Sequence, residues 1–326
     1  MALLAATFAV LALVISYYGA PTLWVEPLLR INRTLSGLEE KTVQIPGHTV
    51  HYLDSQATDK LPLSATAQPQ VPLVLLHGIF AEKDHWVEFA RSLTATYWVL
   101  APDLPGFGES TRDNTLTYDY AAQVKHLRAL LDAWGLARVH LAGSSMGGTV
   151  AALFAIEYPE RVASVAFVGA PHGLRSARPS DMDRQIDAGV RSLVAHDRAA
   201  FDAMMGLLFA KRPFIPYPIL HVSQQDALAR AASNERIWDA QLKDRYLLHH
   251  RLPELKVPAF ALWGEQDRIF DVSGKDTLHA VLPGAQLETL PGIGHLPMME
   301  TPGEAAERYA NFLVGLTRAA PKPSSL

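Results

Sequence analysis

The chain of 326 residues contains no cysteine. Disulfide bonds, thiol catalysis and cysteine-based metal sites are therefore excluded, although this absence does not identify a cellular compartment. A large excess of charge is also missing, because the net charge is -4 and the pI is about 6.3. The chain thus lacks the excess of basic residues that is typical of nucleic-acid-binding proteins, and we expect no nucleic-acid partner. The sequence contains no internal repeat and no heptad array. Hydrophobic residues make up 49% of the chain, which is enough to build a sizeable core.

Residues 1–20 contain no charged side chain and end in an aromatic pair, Tyr17 and Tyr18. This length and apolarity favour a membrane-spanning helix with the tyrosines at the membrane interface. A cleaved signal peptide and a buried core helix are the alternatives. No Lys or Arg precedes the apolar run, and Pro21 directly follows its small residues, which argues against cleavage. We predict a single-pass N-terminal anchor at residues 1–20 and a membrane localisation.

A second helix is predicted within residues 21–40. Its apolar residues recur at spacings of four, three and four, which form one stripe of a helix: Trp24, Leu28, Ile31 and Leu35. This juxtamembrane amphipathic helix could lie in the membrane interface with Arg30 and Arg33 near lipid phosphates. It could instead pack on the following domain, or on a second copy to form a homodimer. The sequence does not determine on which side of the membrane the following domain lies. The cations after residue 20 favour the cytoplasm, whereas an uncleaved signal-type segment would favour export.

Predicted strands and helices alternate from Val71 to Val168. This alternation predicts an α/β fold with a mostly parallel sheet and helices on both faces. After His172 the alternation stops, and a mostly helical stretch follows before strands resume near Val257. The chain is accordingly divided into an α/β core at residues 41–171 and 256–318, an inserted helical cap at 172–255, and a polar tail at 319–326.

The sequence Gly143-Ser144-Ser145-Met146-Gly147 connects a predicted strand to a predicted helix. Gly-x-Ser-x-Gly in this context is typical of a nucleophile elbow, a turn that leaves one serine exposed. Side chains at Gly143 or Gly147 would collide with so tight a backbone. A chance turn of small residues gives the same pattern, so the motif alone does not establish a nucleophile.

Further polar residues follow predicted strands at their carboxyl ends, where parallel sheets bind ligands: His77, Asp103, His172, Asp267 and His295. A serine hydroxyl needs a base that takes its proton and a carboxylate that orients this base. The order Ser145, Asp267, His295 is the one expected of a hydrolase with this elbow. Asp271 and Asp276 are alternative acids.

The oxyanion formed during attack needs two backbone donors. We assign them to the N–H groups of Met146 and Ile79, with Phe80 as the alternative to Ile79. In the predicted cap, one apolar group could line an acyl channel or belong to the plain core: Met204, Met205, Leu207, Leu208 and Phe209.

These residues resemble those of the α/β-hydrolase superfamily across residues 43–316. More narrowly, the chain is similar to membrane-anchored monoacylglycerol lipases and lysophospholipases of the α/β-hydrolase-domain type. The segments that carry the resemblance are His77-Gly78, Ala81-Glu82-Lys83-Asp84-His85-Trp86, Asp103-x-Pro105-Gly106-x-Gly108-x-Ser110, Ser144-Ser145-Met146-Gly147-Gly148 and Trp263-Gly264-Glu265-Gln266-Asp267. Ile79 departs from the family, since many members have phenylalanine after His-Gly.

The resemblance implies a serine ester hydrolase that acts on lipid esters, namely monoacylglycerol, lysophospholipid or phospholipid. An acyl-enzyme on Ser145 would release a fatty acid, without a metal or an organic cofactor. Carboxylesterases for soluble esters and serine-type carbon–carbon bond hydrolases share every motif and remain alternatives. A non-enzymatic membrane scaffold on the same fold is a third possibility.

Overall fold

A computed structural model describes residues 2–56 and 71–319. The tail predicted at residues 319–326 therefore lies outside the described residues beyond Ala319. The strands are β1 (Glu39–Ile45), β2 (His48–Asp54), β3 (Leu73–Leu76), β4 (Val99–Pro102), β5 (Val139–Ser145), β6 (Val162–Pro171), β7 (Ala259–Gly264) and β8 (Gln286–Leu290). They form one eight-stranded sheet in the order β1-β2-β4-β3-β5-β6-β7-β8. β1 with β2 and β2 with β4 pair antiparallel, whereas the other neighbours pair parallel, so the predicted mostly parallel sheet is confirmed.

The helices follow the alternation that the sequence predicts. They are α1 (Ala2–Gly19), α2 (Thr22–Leu35), α3 (Val87–Arg91), α4 (Tyr120–Ala133), α5 (Met146–Glu157), α6 (Asp181–Asp187), α7 (Arg198–Leu208), α8 (Tyr217–Ala229), α9 (Ala231–Leu242), α10 (Leu247–Arg251), α11 (Gly274–Val281), α12 (Pro297–Glu300) and α13 (Pro302–Ala319), with short 3-10 turns at Lys83–Trp86, Pro159–Arg161 and Leu252–Glu254. Helices α6 to α10 all lie between β6 and β7, in the stretch assigned to the cap.

Two hydrophobic cores cover the two faces of the sheet. In β3, Val74 and Leu76 pack in the core that also contains residues of α4 and α5. Leu73 and Leu75 pack on the opposite face, in the core that contains residues of α3 and α13. Alternate side chains of a strand point to opposite faces, so a strand buried on both sides must be apolar throughout. The predicted helices on both faces are therefore present.

The N-terminal helices are sharply bent relative to each other. Among the described residues, no single helix is long and apolar enough to cross a membrane, but α1 from Leu4 and α2 meet the criterion as a pair bent by 99°. The bend falls at Ala20 and Pro21, where Pro21 caps α2. Proline has no N–H to continue the hydrogen bonding of the preceding helix, which explains the break.

Helix α2 is docked on the rest of the chain. It contacts α3 and α8. Arg33 is only 3% exposed, and its guanidinium donates two hydrogen bonds of 2.6 Å to the Asp84 carboxylate. Of the two alternatives for this helix, packing on the following domain is therefore observed. Arg33 does not lie near lipid phosphates, because a buried carboxylate already pairs with this cation. Ile31 and Leu35 of the predicted stripe point to solvent instead, at 58% and 70% exposure.

Candidate active site

Ser145 occupies a strained turn between β5 and α5. Its φ is 52°, and in the described part of the chain only Phe80 and Ser145 are non-glycine residues with positive φ. Such a conformation is costly for a residue with a side chain and persists only where the surroundings enforce it. A Cβ on Gly143 would lie 2.3 Å from the Gly147 carbonyl, and a Cβ on Gly147 would lie 2.1 Å from the Leu76 oxygen. The turn therefore has the geometry of the predicted elbow.

His295 and Asp267 form a buried pair at the same edge of the sheet. His295 Nδ1 lies 2.8 Å from Asp267 Oδ2, and the two residues are 1% and 7% exposed. The other carboxylate oxygen of Asp267 accepts the N–H groups of Ile269 and Phe270 at 2.8 and 2.9 Å. Because a carboxylate only accepts, Nδ1 of His295 carries a proton and Nε2 is free to act as a base.

The two alternative acids are placed elsewhere. Asp271 accepts the N–H of Ser273 at 2.9 Å and forms an ion pair with Arg178. Its pKa lies below the usual range, because these hydrogen bonds and the nearby guanidinium outweigh the effect of burial. Asp276 is exposed in the first turn of α11. The carboxylate that the structure brings to His295 is that of Asp267.

An apolar pocket brings the predicted residues together. Ile79, Ser145 and Met146 all line it, together with Phe270. The Phe270 ring centroid lies 5.4 Å from that of His295, which places the imidazole against the same wall. The pocket thus gathers the candidate nucleophile and both candidate oxyanion donors, and one of its lining residues, Phe270, contacts the His295 ring.

The backbone around Ile79 is arranged to donate into this pocket. The Ile79 N–H has no hydrogen-bond acceptor among the described residues. A Cβ on Gly78 would lie 3.4 Å from Cβ of Ser145, so this loop runs alongside the serine. Phe80, the alternative donor, has a positive φ of 57°. The unpaired N–H of Ile79 is therefore available to an oxyanion that forms at Ser145.

His77 and Asp103 support this loop from outside the pocket. His77 Nδ1 donates to the Gly78 carbonyl at 2.7 Å, and its Nε2 accepts the Leu104 N–H at 3.0 Å. Burial lowers the pKa of His77, which keeps the ring neutral as both bonds require. Asp103 accepts the backbone N–H of Lys83 at 2.6 Å and its ammonium at 3.0 Å. These strand-end residues hold loops in place, and the sequence could not separate them from residues that face a ligand.

The pocket is narrow, with a volume of about 10 Å³, and the cap supplies much of its wall. The cap residues that line it are Met182, Leu193, Trp238, Gln241 and Leu242. Of the two alternatives for residues 204–209, the structure shows the plain core and not an acyl channel. Leu207 lies on the face with α4 and α5, and Met205 and Phe209 lie on the other. The spacing of Trp238, Gln241 and Leu242 on one helix face was the available signal.

A polar pair that the sequence did not predict faces the pocket. His172 Nδ1 lies 2.6 Å from the Tyr120 hydroxyl, and their rings stack with centroids 5.8 Å apart. Burial lowers the pKa of His172 to about 4 and raises the pKa of Tyr120 far above its usual range. Both side chains are therefore neutral near pH 7. His172 follows a predicted strand in the sequence, but no sequence pattern indicates its partner.

A wider polar depression of about 440 Å³ also touches Asp267, through residues that include Asp181, Arg184 and Arg268. Asp181 forms ion pairs with both arginines. Ser145 is not among its lining residues, and its charges already neutralise one another. We therefore place the chemistry in the smaller apolar pocket.

One charged cluster has the spacing of a metal site. Ligand atoms of Glu40, His51 and Glu109 lie within 4.8 Å of one another. Glu40 forms ion pairs with Arg33 and Lys83, and Lys83 also pairs with Glu109. The cations of the chain itself thus balance these carboxylates. The cluster ties α2 to strands β1 and β2 and to the segments that follow β3 and β4.

Comparisons with known proteins extend over nearly the whole chain. A family model described as alpha/beta hydrolase fold matches residues 71–216. Lipase 1 of Psychrobacter immobilis is 29% identical over 243 residues, 74% of this chain and 76% of that protein. Human monoacylglycerol lipase ABHD6 is 28% identical over 314 residues, 93% of this chain and 91% of that protein.

A solved structure agrees with the fold in detail. The crystal structure of a membrane phospholipase A, described as a bacterial virulence factor, has a TM-score of 0.85 and 32% identity to this chain. The match covers 98% of this chain and 99% of that one. The similarity therefore includes the N-terminal helices as well as the sheet and the cap.

Proposed function

Because this chain belongs to the α/β-hydrolase family, we propose that it is a serine hydrolase that cleaves lipid esters through an acyl-enzyme on Ser145. One observation carries the proposal. A strained serine lines an apolar pocket, and Phe270 of the same lining contacts a histidine that a buried carboxylate orients. This is the constellation that activates a serine hydroxyl.

In the first half of the reaction, the Ser145 hydroxyl attacks the ester carbonyl while Nε2 of His295 takes its proton. Asp267 stabilises the imidazolium that forms and keeps the ring aligned. The N–H groups of Ile79 and Met146 donate to the oxyanion, and each such donor is worth about a hundredfold to a thousandfold in rate. His295 then protonates the leaving alcohol, and the acyl group stays on Ser145.

In the second half, His295 takes a proton from water, and the resulting hydroxide attacks the acyl-enzyme. The tetrahedral intermediate collapses with release of a fatty acid and return of the proton to Ser145. Every group that these steps need belongs to the chain or is water. The reaction therefore requires neither a metal nor an organic cofactor.

The lining of the pocket favours a lipid acyl chain as the occupant. Met182, Leu193, Trp238 and Leu242 present apolar surface next to Ser145, and apolar walls with few polar groups are typical of such sites. Relatives named monoacylglycerol lipase and membrane phospholipase A support the same substrate class. We propose that monoacylglycerol, lysophospholipid or phospholipid is cleaved.

We further propose that α1 anchors the enzyme in a membrane. Its side chains from Leu4 onward are almost all exposed and apolar, and Tyr17 and Tyr18 end the run, as expected at a membrane interface. Ile31 and Leu35 remain exposed on α2 and could pair two copies. An enzyme held in the bilayer is close to substrates that partition there.

Labelling with a fluorophosphonate probe tests the nucleophile. We expect wild type and a Ser144→Ala control to react stoichiometrically, because Ser144 lies next to the nucleophile in sequence but does not line the pocket. A Ser145→Ala variant should not react. Labelling of Ser145→Ala, or no labelling of wild type, would reject the mechanism.

A substrate panel then separates the candidate activities. The proposal predicts faster turnover of monoacylglycerols and phospholipids than of short soluble esters or vinylogous diketones. Preference for the short esters would favour a carboxylesterase, and preference for the diketones a carbon–carbon bond hydrolase.

A further inference from the structure

Phe214 is the most exposed large apolar side chain in the described part of the chain, at 91%. It lies in the loop between α7 and α8. Single apolar side chains on a surface are common and need no explanation by themselves. The surroundings of Phe214 decide whether its exposure has a function.

The residues on both sides of Phe214 are conformationally restricted or packed. Pro213 precedes it and Pro216 caps α8, and each proline ring fixes φ near -65°. Ile215 packs against the core that contains α3 and α13. The neighbours of Phe214 are therefore anchored, and the exposed ring is a constant feature of the surface.

This loop is continuous with the apolar N-terminal helix. Tyr217 begins α8, and its ring centroid lies 5.1 Å from that of Tyr18 and 6.3 Å from that of Tyr17. Phe214 is three residues before Tyr217, which limits their separation to about 11 Å of extended chain. Phe214 thus lies near the end of α1 where the aromatic pair marks the expected membrane interface.

The charges next to Phe214 complement an anionic surface. Lys211 and Arg212 are exposed, and in the ranges that the structure covers neither side chain forms an ion pair or hydrogen bond. The one acidic contact is through the backbone, where the Lys211 N–H donates to Glu300 at 2.7 Å. Cations beside an apolar ring favour the boundary between phosphates and acyl chains.

We propose that Lys211, Arg212 and Phe214 form a second membrane contact that docks the cap on an anionic phospholipid bilayer. Phe214 inserts among the lipids of the leaflet that α1 enters, and the two cations bind lipid phosphates. This inference rests on the membrane anchoring in the proposed function and adds a surface that the N-terminal helices do not provide. It holds the cap, which covers the Ser145 pocket, against the source of substrate.

A unique fluorescent probe tests this contact, because the full chain has no cysteine. Phe214→Cys, labelled with an environment-sensitive fluorophore, is placed in phosphatidylcholine vesicles with and without phosphatidylglycerol. Leu116→Cys is the matched control, because Leu116 is also an apolar residue in a loop and is 47% exposed. Its loop lies against α9, where Asn114 accepts hydrogen bonds from Ser233 and Arg236. Lipids brominated along the acyl chain serve as the quencher.

The proposal predicts about threefold or more stronger quenching at position 214 than at 116, and weaker quenching without anionic lipid or with Lys211→Glu and Arg212→Glu. A position 214 probe that stays as accessible to aqueous iodide as the control overturns it. Emission that shifts with protein concentration in detergent, and is not quenched by brominated lipid, assigns the loop to a second copy and also overturns it.

Fluorophosphonate labelling of the same samples separates this inference from the proposed function. If both cysteine variants label at Ser145 but position 214 stays in water, the membrane contact alone is wrong. If position 214 is buried in lipid but Ser145 does not label, the contact holds and the hydrolase proposal is wrong.

Discussion

At the scale of single residues, the site depends on a few positions that allow no substitution for steric or electronic reasons. Gly143 and Gly147 are required because an added Cβ would lie only 2.3 Å and 2.1 Å from the nearest backbone atom, respectively. Asp267 binds Nδ1 of His295 through one oxygen while two backbone N–H groups hold the other, and we expect this contact to fix the tautomer of the ring. A sequence motif identifies the two glycines well, since the spacing of Gly-x-Ser-x-Gly follows directly from the space that the turn leaves for side chains.

Replacing Asp267 by asparagine should lower kcat about a thousandfold to ten-thousandfold while the protein stays folded. An amide can donate to Nδ1 and so stabilise the wrong tautomer of His295. The control is Asp271→Asn, whose side chain contacts Ser273 and Arg178 instead of His295, and which should keep near-normal turnover. The measurement is hydrolysis of a chromogenic ester, with circular dichroism to check folding. Equal losses in the two variants would contradict the assignment of Asp267.

Gly147→Ala should destabilise the protein severely, by more than about 3 kcal/mol, because its Cβ would lie 2.1 Å from the Leu76 carbonyl oxygen. Gly206→Ala is the matched control, since it lies inside α7 with nothing within 4 Å of the added Cβ. Alanine there should stabilise by about 0.5–1 kcal/mol. Urea unfolding monitored by circular dichroism gives both values. A Gly147→Ala variant as stable as wild type would show that the elbow can relax.

At the scale of elements, α2 shows what periodicity can and cannot predict. The helix and its apolar stripe follow from spacing, but the face that packs on the protein is set by Arg33 and Asp84, which are 51 residues apart in the sequence. A long-range ion pair leaves no local pattern, so the buried position of Arg33 was not predictable. The same reason explains why the cap residues that line the pocket could not be predicted, while the cap helices themselves follow the predicted pattern.

Removing the Arg33 cation should release α2 from its docking site. Arg33→Met leaves the nearly buried Asp84 carboxylate without its main partner, which typically costs about 3 kcal/mol. We expect amide hydrogen exchange in α2 to become at least about tenfold faster in detergent micelles. Arg30→Met, a change at an exposed position of the same helix, should leave exchange unaltered. Unchanged protection in Arg33→Met would show that α2 is held by apolar packing alone.

At the scale of the whole molecule, the order of elements predicts the fold class but not all of its topology. Alternating strands and helices predict parallel pairing, and β3 to β8 follow that rule. The sequence does not show that β4 inserts between β2 and β3, because strand order depends on crossover connections instead of local composition. Likewise, the positions of Ser145, Asp267 and His295 at or after strand ends were predictable from the alternation, whereas the Tyr120–His172 pair was not.

Buried histidines should make the whole protein sensitive to mild acid. Burial lowers the pKa of His126, His140 and His172 to about 4 from 6.5. Between these values the unfolded chain binds protons that the native state does not, so the free energy of unfolding is highest above pH 6.5 and falls toward pH 4. For the buried His172 alone the full effect is about 3 kcal/mol.

The test is urea unfolding at about pH 7.5 and about pH 5, a range in which most carboxylates stay ionised. We expect a lower midpoint at the acidic value, and a smaller difference in a His140→Gln variant. A pH difference in midpoint as large in His140→Gln as in the wild type would contradict the neutral, buried state of the His140 ring.

The most direct test of the central claim is the rate at which fatty acid is released from a monoacylglycerol in mixed micelles by wild type and by Ser145→Ala. The account predicts measurable turnover by wild type and a loss of more than about a thousandfold in the variant, with its fold unchanged. Release by Ser145→Ala within about tenfold of wild type would show that another group cleaves the ester, and would contradict the account.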